Sequence, residues 1–196
     1  MVAESAALRL RVHAPLAVPA LLQAEPYLRA AVAADPRVAA YARNRVIAAR
    51  LARAQAVLSR GTPLEVVIGA AALHCPASGD AALRDQAGYL AGISARYPQV
   101  RVRLLPPGAG TCAAGGAGGF TVAELCCEPL IAMVHADGVA GGWWPESAAA
   151  HLAAFERLQE QALTPGKSIA ALRQLASAAR APWPPRRRPP ATERMT

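Results

Sequence analysis

Val100-Arg101-Val102-Arg103-Leu104 alternates apolar and basic residues with the two-residue period of a strand that buries one face. Leu8-Arg9-Leu10-Arg11-Val12 repeats the pattern near the start of the chain. Working outward from the early strand, Pro15 and Pro19 break the chain and Leu21-Leu22 begin a short helical turn. Pro26 suits the first position of a helix carrying Tyr27, Leu28, Val32 and Ala33. Asp35-Pro36 has the form of a helix start and Gly61 that of a stop; between them Ile47, Leu51, Ala54 and Leu58 form a core-facing stripe. Leu64 to Gly69 is a short apolar run suited to a buried strand, and Asp80 to Arg96 a helix with Leu83, Ala87, Leu90 and Ser94 on one side.

Beyond Leu104, Gly108 to Gly119 reads as a glycine- and alanine-rich loop. Phe120 to Cys126 and Leu130 to Ala136 follow as strands, the second continuously apolar and so expected at the centre of the sheet. Ser147 to Ala162 and Ser168 to Ala179 read as helices separated by Thr164-Pro165-Gly166. Interleaved helices and strands predict an α/β or α+β fold, a single mixed β-sheet covered by helices, with a helical C-terminus. Residues 1–180 form the one predicted domain; 181–196 form a tail rich in proline and arginine and expected to be mobile.

The 196 residues are 54% hydrophobic and 17% charged, which excludes a disordered chain. There are 49 alanines and 20 arginines against the single Lys167, a skew that reads first as the coding bias of a GC-rich genome. No apolar run reaches the roughly 18–20 residues of a membrane helix. Charges also interrupt Met1 to Val12, where a signal peptide would be apolar, so a soluble, cytoplasmic protein is expected. The cysteines Cys75, Cys112, Cys126 and Cys127 do not make a disulfide framework, since two are adjacent. Of the net charge of +8, five arginines and Glu193 from Arg180 onward supply 5 − 1 = +4. The body is only mildly basic, and specific nucleic-acid binding is not expected.

Chemistry-bearing residues are few. His74-Cys75 follows the strand at 64–69, where sheet ends commonly present functional groups, and a thiolate at Cys75 would need a base nearby. His135 lies two residues from Asp137, which could orient its imidazole or share a metal with it. No paired spacing of metal ligands is present, so no metal and no cofactor are predicted. Trp143-Trp144, between Gly141-Gly142 and Pro145-Glu146, concentrates aromatic area in a chain that is only 5% aromatic. Adjacent residues of a strand point oppositely, so one indole can enter the core while the other lines a surface or cavity; the two readings are ligand or partner binding by one of them and plain core packing. Arg9, Arg11, Arg101 and Arg103 would share a sheet face if their strands were neighbours, with solvent or an anionic partner answering the charge.

From Ala14-Pro15-Leu16-Ala17-Val18-Pro19-Ala20-Leu21-Leu22-Gln23, with Tyr27 and Arg29-Ala30, the chain resembles a widespread actinobacterial domain of unknown function. That domain forms the C-terminal effector part of antitoxin-like, Xre-type helix-turn-helix regulators. The resemblance continues through Ala48 to Leu58, Ala71-Ala72-Leu73 to Pro76, Leu83 to Gln86, and Val100 to Gly110 with its turn Leu105-Pro106-Pro107-Gly108-Ala109-Gly110. Phe120-Thr121 and Phe155 to Pro165 complete it, from about Leu8 to Arg180. It implies an effector or interaction domain without a catalytic motif, standing alone because no helix-turn-helix precedes Leu8. His74-Cys75, His135 and Trp143-Trp144 depart from the family's usual residues.

Two readings follow. The first is a stand-alone, regulatory effector-type domain binding a small apolar ligand or a partner protein through Trp143 and Trp144, with a homodimer allowed. The second is an enzyme of actinobacterial specialised metabolism, a cyclase, isomerase or hydrolase. It would use a recruited pocket with His74, Cys75, His135, Asp137 or Glu146 as acid or base.

Overall fold

The structure is a computed structural model that describes residues 2–74, 79–107, 109, 118–127, 130–136, 143–144 and 148–177. Alternation along β1 (Arg9–Ala14) turns Leu10, Val12 and Ala14 to one face of a sheet and Arg9, Arg11 and His13 to the other. β2 (Leu64–Gly69) lies parallel to β1, with Val12 beside Val66, and β3 (Val100–Leu105) lies parallel to β2. Across β1, β4 (Phe120–Cys127) runs antiparallel, placing Thr121 opposite Val12. β5 (Leu130–Ala136) and the two-residue β6 (Trp143–Trp144) continue antiparallel. The described strands thus form one mixed sheet in the order β3-β2-β1-β4-β5-β6, an α+β fold as expected.

The helices are α1 (Val2–Ala6), α2 (Glu25–Ala34), α3 (Arg43–Ser59), α4 (Gly79–Arg96), α5 (Ala148–Gln161) and α6 (Pro165–Ser177). On the first face, Leu10, Val66 and Val102 pack with Val57 of α3, Leu90 of α4 and Leu172 of α6. On the second face, Val67, Phe120 and Val134 pack under Phe155 and Leu158 of α5. A small cluster of Leu28, Val32 and Ile47 joins α2 to α3. Among the described residues no helix is long and apolar enough to cross a membrane.

Three local expectations are corrected. Asp35-Pro36 closes α2 instead of opening α3: the Asp35 carboxylate accepts the Arg37 backbone N–H (3.0 Å), and the Asp35 carbonyl accepts the Val38 N–H (3.1 Å). This local turn uses the carboxylate that a helix cap would need. Hydrogen bonds from Arg37 also pull the Asp35 carboxyl down to about 2. Thr164-Pro165-Gly166 is the cap and first turn of α6, not a separator. Its proline needs no N–H there, and the Thr164 carbonyl accepts the Ser168 N–H (2.9 Å). Finally, β5 is not central, because β6 pairs with it only at Val134 and His135 and Ile131 is 51% exposed. Its apolar run reflects cover on both faces, Val134 under α5 and Met133 against the opposite cluster. The tail at 181–196 and most of the loop from Gly108 to Gly119 lie outside the described residues.

Candidate functional site

A Cβ at Gly69, the last residue of β2, would collide with the carbonyl of Pro15, the first residue after β1. Glycine there lets the chain leaving β1 cross the end of β2. That path carries it away from β4. A crevice remains at the carboxyl end of β1, where parallel pairing gives way to antiparallel, the kind of place where open sheets bind ligands.

The crevice is a cavity of about 300 Å³ on the first face. Val12 and Ala14 of β1, Thr121 of β4 and His135 of β5 line its sheet side, and the segment Ala17 to Leu21 makes an apolar wall. That wall is pinned at several points. The Val18 N–H donates to the Tyr27 hydroxyl (3.4 Å) and the Gln23 side-chain amide donates to the Val18 carbonyl (2.8 Å). Gln86, fully buried on α4, donates to the Leu22 carbonyl and accepts from the Ala24 N–H, both at 2.8 Å. Proline at 19 and these bonds fix a backbone that belongs to no long element, so the cavity is preformed.

Glu4 of α1 and Arg53 of α3 complete the lining. Arg53 Nε donates to Glu4 Oε2 (2.7 Å) and Nη2 donates to Oε1, a two-pronged guanidinium–carboxylate pair. The Glu4 side chain is 6% exposed and that of Arg53 35%, so the carboxylate is enclosed while the guanidinium reaches solvent.

The opposite face carries the arginine constellation, with one difference from expectation: β2 separates β1 from β3 and brings Glu65 between them. Arg11 lies 3.3 Å from Glu65 and 2.9 Å from Glu124, and Arg101 is 4.0 Å from Glu65. The protein's own carboxylates therefore answer part of the charge. Further along this face the Phe120 ring meets His13 at a tilt (centroids 5.6 Å apart) and His151 edge to face (4.9 Å).

Of the residues singled out from sequence, His135 lines the cavity, with Thr121 opposite it in the ladder. Trp143 holds the register position opposite His135, and Trp144 that opposite Val134. His74 ends a 3-10 turn (Ala70–His74) after β2, at the same end of the sheet but with β1 and β4 between β2 and β5. Cys75, Asp137 and Glu146 lie outside the described residues. Among the described residues no group of three or more His, Cys, Asp and Glu is placed to hold a metal ion. Sequence reasoning missed Glu4, Arg53 and Thr121. Arg53 flanks the helical stripe one residue before Ala54, a position that reads as solvent-facing unless its distant partner is known.

A family model described as a domain of unknown function, DUF5753, matches residues 1–174. The chain belongs to the DUF5753 family. The match runs from α1 into α6 and so takes in every residue lining the cavity. No curated protein and no solved structure matches this DUF5753 chain.

Proposed function

We propose that this DUF5753 chain is a regulatory, effector-type module that binds a small apolar molecule in the cavity beside β1. Its setting would be the actinobacterial, Xre-type regulators that its sequence resembles. The observation that carries this reading is the preformed crevice. Apolar residues from β1 and the Ala17–Leu21 wall line it together with Thr121, His135 and the Glu4–Arg53 pair. Its volume of about 300 Å³ suits a small molecule better than a protein segment. Trp143, opposite His135 in the ladder, is the neighbouring position from which an indole would serve the same ligand.

Octanol is a fitting neutral probe. It should bind in calorimetric titration with one site per chain, and Ala14→Leu, which grows a side chain into the cavity from β1, should remove that binding while the chain still melts cooperatively. Failure of octanol to bind the wild type, or equal binding to Ala14→Leu, would overturn the reading. An enzymatic reading draws on His135 in the cavity wall, the one proposed acid–base residue with a described side chain. It would show as turnover lost in His135→Gln with ligand binding retained.

A further inference from the structure

The geometry points to an acid head group on the cavity's ligand. We propose that the site takes a small amphipathic anion whose carboxylate replaces that of Glu4 on Arg53 and thereby frees α1. This rests on the reading of the cavity as a ligand site and adds the ligand's charge and its consequence.

Arg53 is the fixed cation of the lining, and the two-pronged contact it makes with Glu4 is the one a guanidinium makes best with any carboxylate. Glu4 reaches it from 49 residues away in sequence, on a helix of only five residues. So short a helix has no stability of its own. Ala3 of α1 and Ala7 just after it are buried in the main core, and the ion pair adds a charged tie between α1 and α3. The Glu4 carboxylate therefore stands where a ligand's carboxylate would stand, with Val12, Ala14 and Val18 ready for the ligand's apolar body.

The difference in exposure sets what displacement does. Arg53 is open enough to exchange one carboxylate for another, whereas Glu4 is enclosed. Once unpaired, a carboxylate in that enclosed position is strongly unfavourable, so it must move into water and take α1 with it. Ligand binding and release of the first helix then become one equilibrium, because the ligand's acid and Glu4 compete for the same guanidinium. The N-terminal segment becomes the reporter of an occupied cavity.

Octanoate and octanol share an apolar chain and differ in the head group. Both are titrated into wild type, Glu4→Gln and the double variant Glu4→Gln/Arg53→Gln, which removes the guanidinium without leaving an enclosed carboxylate alone. Glu4→Gln should bind octanoate about tenfold more tightly than wild type, a change of about 1.4 kcal/mol. Octanol affinity should stay the same, and the double variant should lose the gain. In wild type, octanoate but not octanol should speed amide hydrogen exchange across residues 2–7. If octanol binds but Glu4→Gln gains nothing for octanoate, the anion proposal falls and the apolar site stands. If neither compound binds wild type, both fall. Should Glu4→Gln not fold, the wild-type exchange experiment decides: octanoate bound without faster exchange at residues 2–7 overturns the proposal.

Discussion

On the first face of the sheet, α3, α4 and α6 bring Val57, Leu90 and Leu172 to a large shared core; on the second, α5 brings Phe155 and Leu158 to a smaller one. The difference lies in how each face is finished. On the first face the end of β1 is covered by the Ala17–Leu21 segment with α1 and α3 rather than by one continuous helix, and the gap left among them is the cavity. A single helix covers less of a sheet, and beyond α5 the second face is completed by Arg11, Glu65 and Glu124. One face has room for a ligand beside a held ion pair, while the other spends its charges on itself. The general lesson is that a cavity belongs where packing elements meet, not where one element dominates.

The sharpest way to break this comparison is at α5. Phe155 is fully buried and anchors the smaller core with Phe120 and Val134 around it. Phe155→Ala should cost about 4 kcal/mol, since few other side chains on that face can close the void. Urea unfolding followed by circular dichroism measures it. A cost under about 2 kcal/mol would mean that the second face collapses easily and that α5 is not its main support. In the folded fraction octanol binding should be unchanged, because the cavity is on the other side of the sheet.

Gln86 tests the first face. Gln86→Leu keeps the volume nearly constant but leaves the Leu22 carbonyl and the Ala24 N–H without the partners they have now. Two buried backbone groups left unpaired should cost about 3 kcal/mol together. Because the same groups hold the start of α2 beside the cavity wall, this variant should also weaken octanol binding, which Phe155→Ala does not. Stability lost in both variants with ligand binding lost in neither would show that the wall is held by packing alone.

Legibility in the sequence divided along similar lines. β2 and β5 match their expected bounds, Leu64–Gly69 and Leu130–Ala136, because cover on both faces keeps Val66-Val67-Ile68 and Ala132-Met133-Val134 apolar without a break. β3 and the core stripe of α4 were legible for the same reason, a local period. What could not be read was which of several possible partners a side chain or a strand takes. Asp35 has the residue type of a helix cap, but the neighbouring Arg37 claims its carboxylate. The place of β5 in the sheet depends on how little of it β6 covers, which no pattern inside β5 records. His135 stands out in the sequence by its chemistry and lines the cavity, whereas neither Glu4 nor Arg53 alone hints at the other.

The smallest effect is expected at the charged end of the second face. Arg11 has a side chain only 15% exposed and lies between Glu65 and Glu124, whose side chains are 19% and 10% exposed. This group is neither a surface ion pair, worth up to about 1 kcal/mol, nor a fully buried one, whose rupture costs about 3–5 kcal/mol. Arg11→Met keeps most of the aliphatic stem and removes the cation, so the loss reads the charge more than the packing. The two carboxylates then lose the guanidinium they share, and the expected cost is about 2 kcal/mol. Adding Glu124→Gln to Arg11→Met should recover part of it, since one uncompensated charge is removed, and the double-mutant cycle isolates the pair. Raising salt should narrow the gap between variant and wild type by screening the remaining repulsion. A cost of less than about 0.5 kcal/mol, with no recovery in the double variant, would make the ladder an ordinary solvated surface. The second face would then be closed by α5 alone, and the contrast with the cavity face would rest on packing rather than on charge.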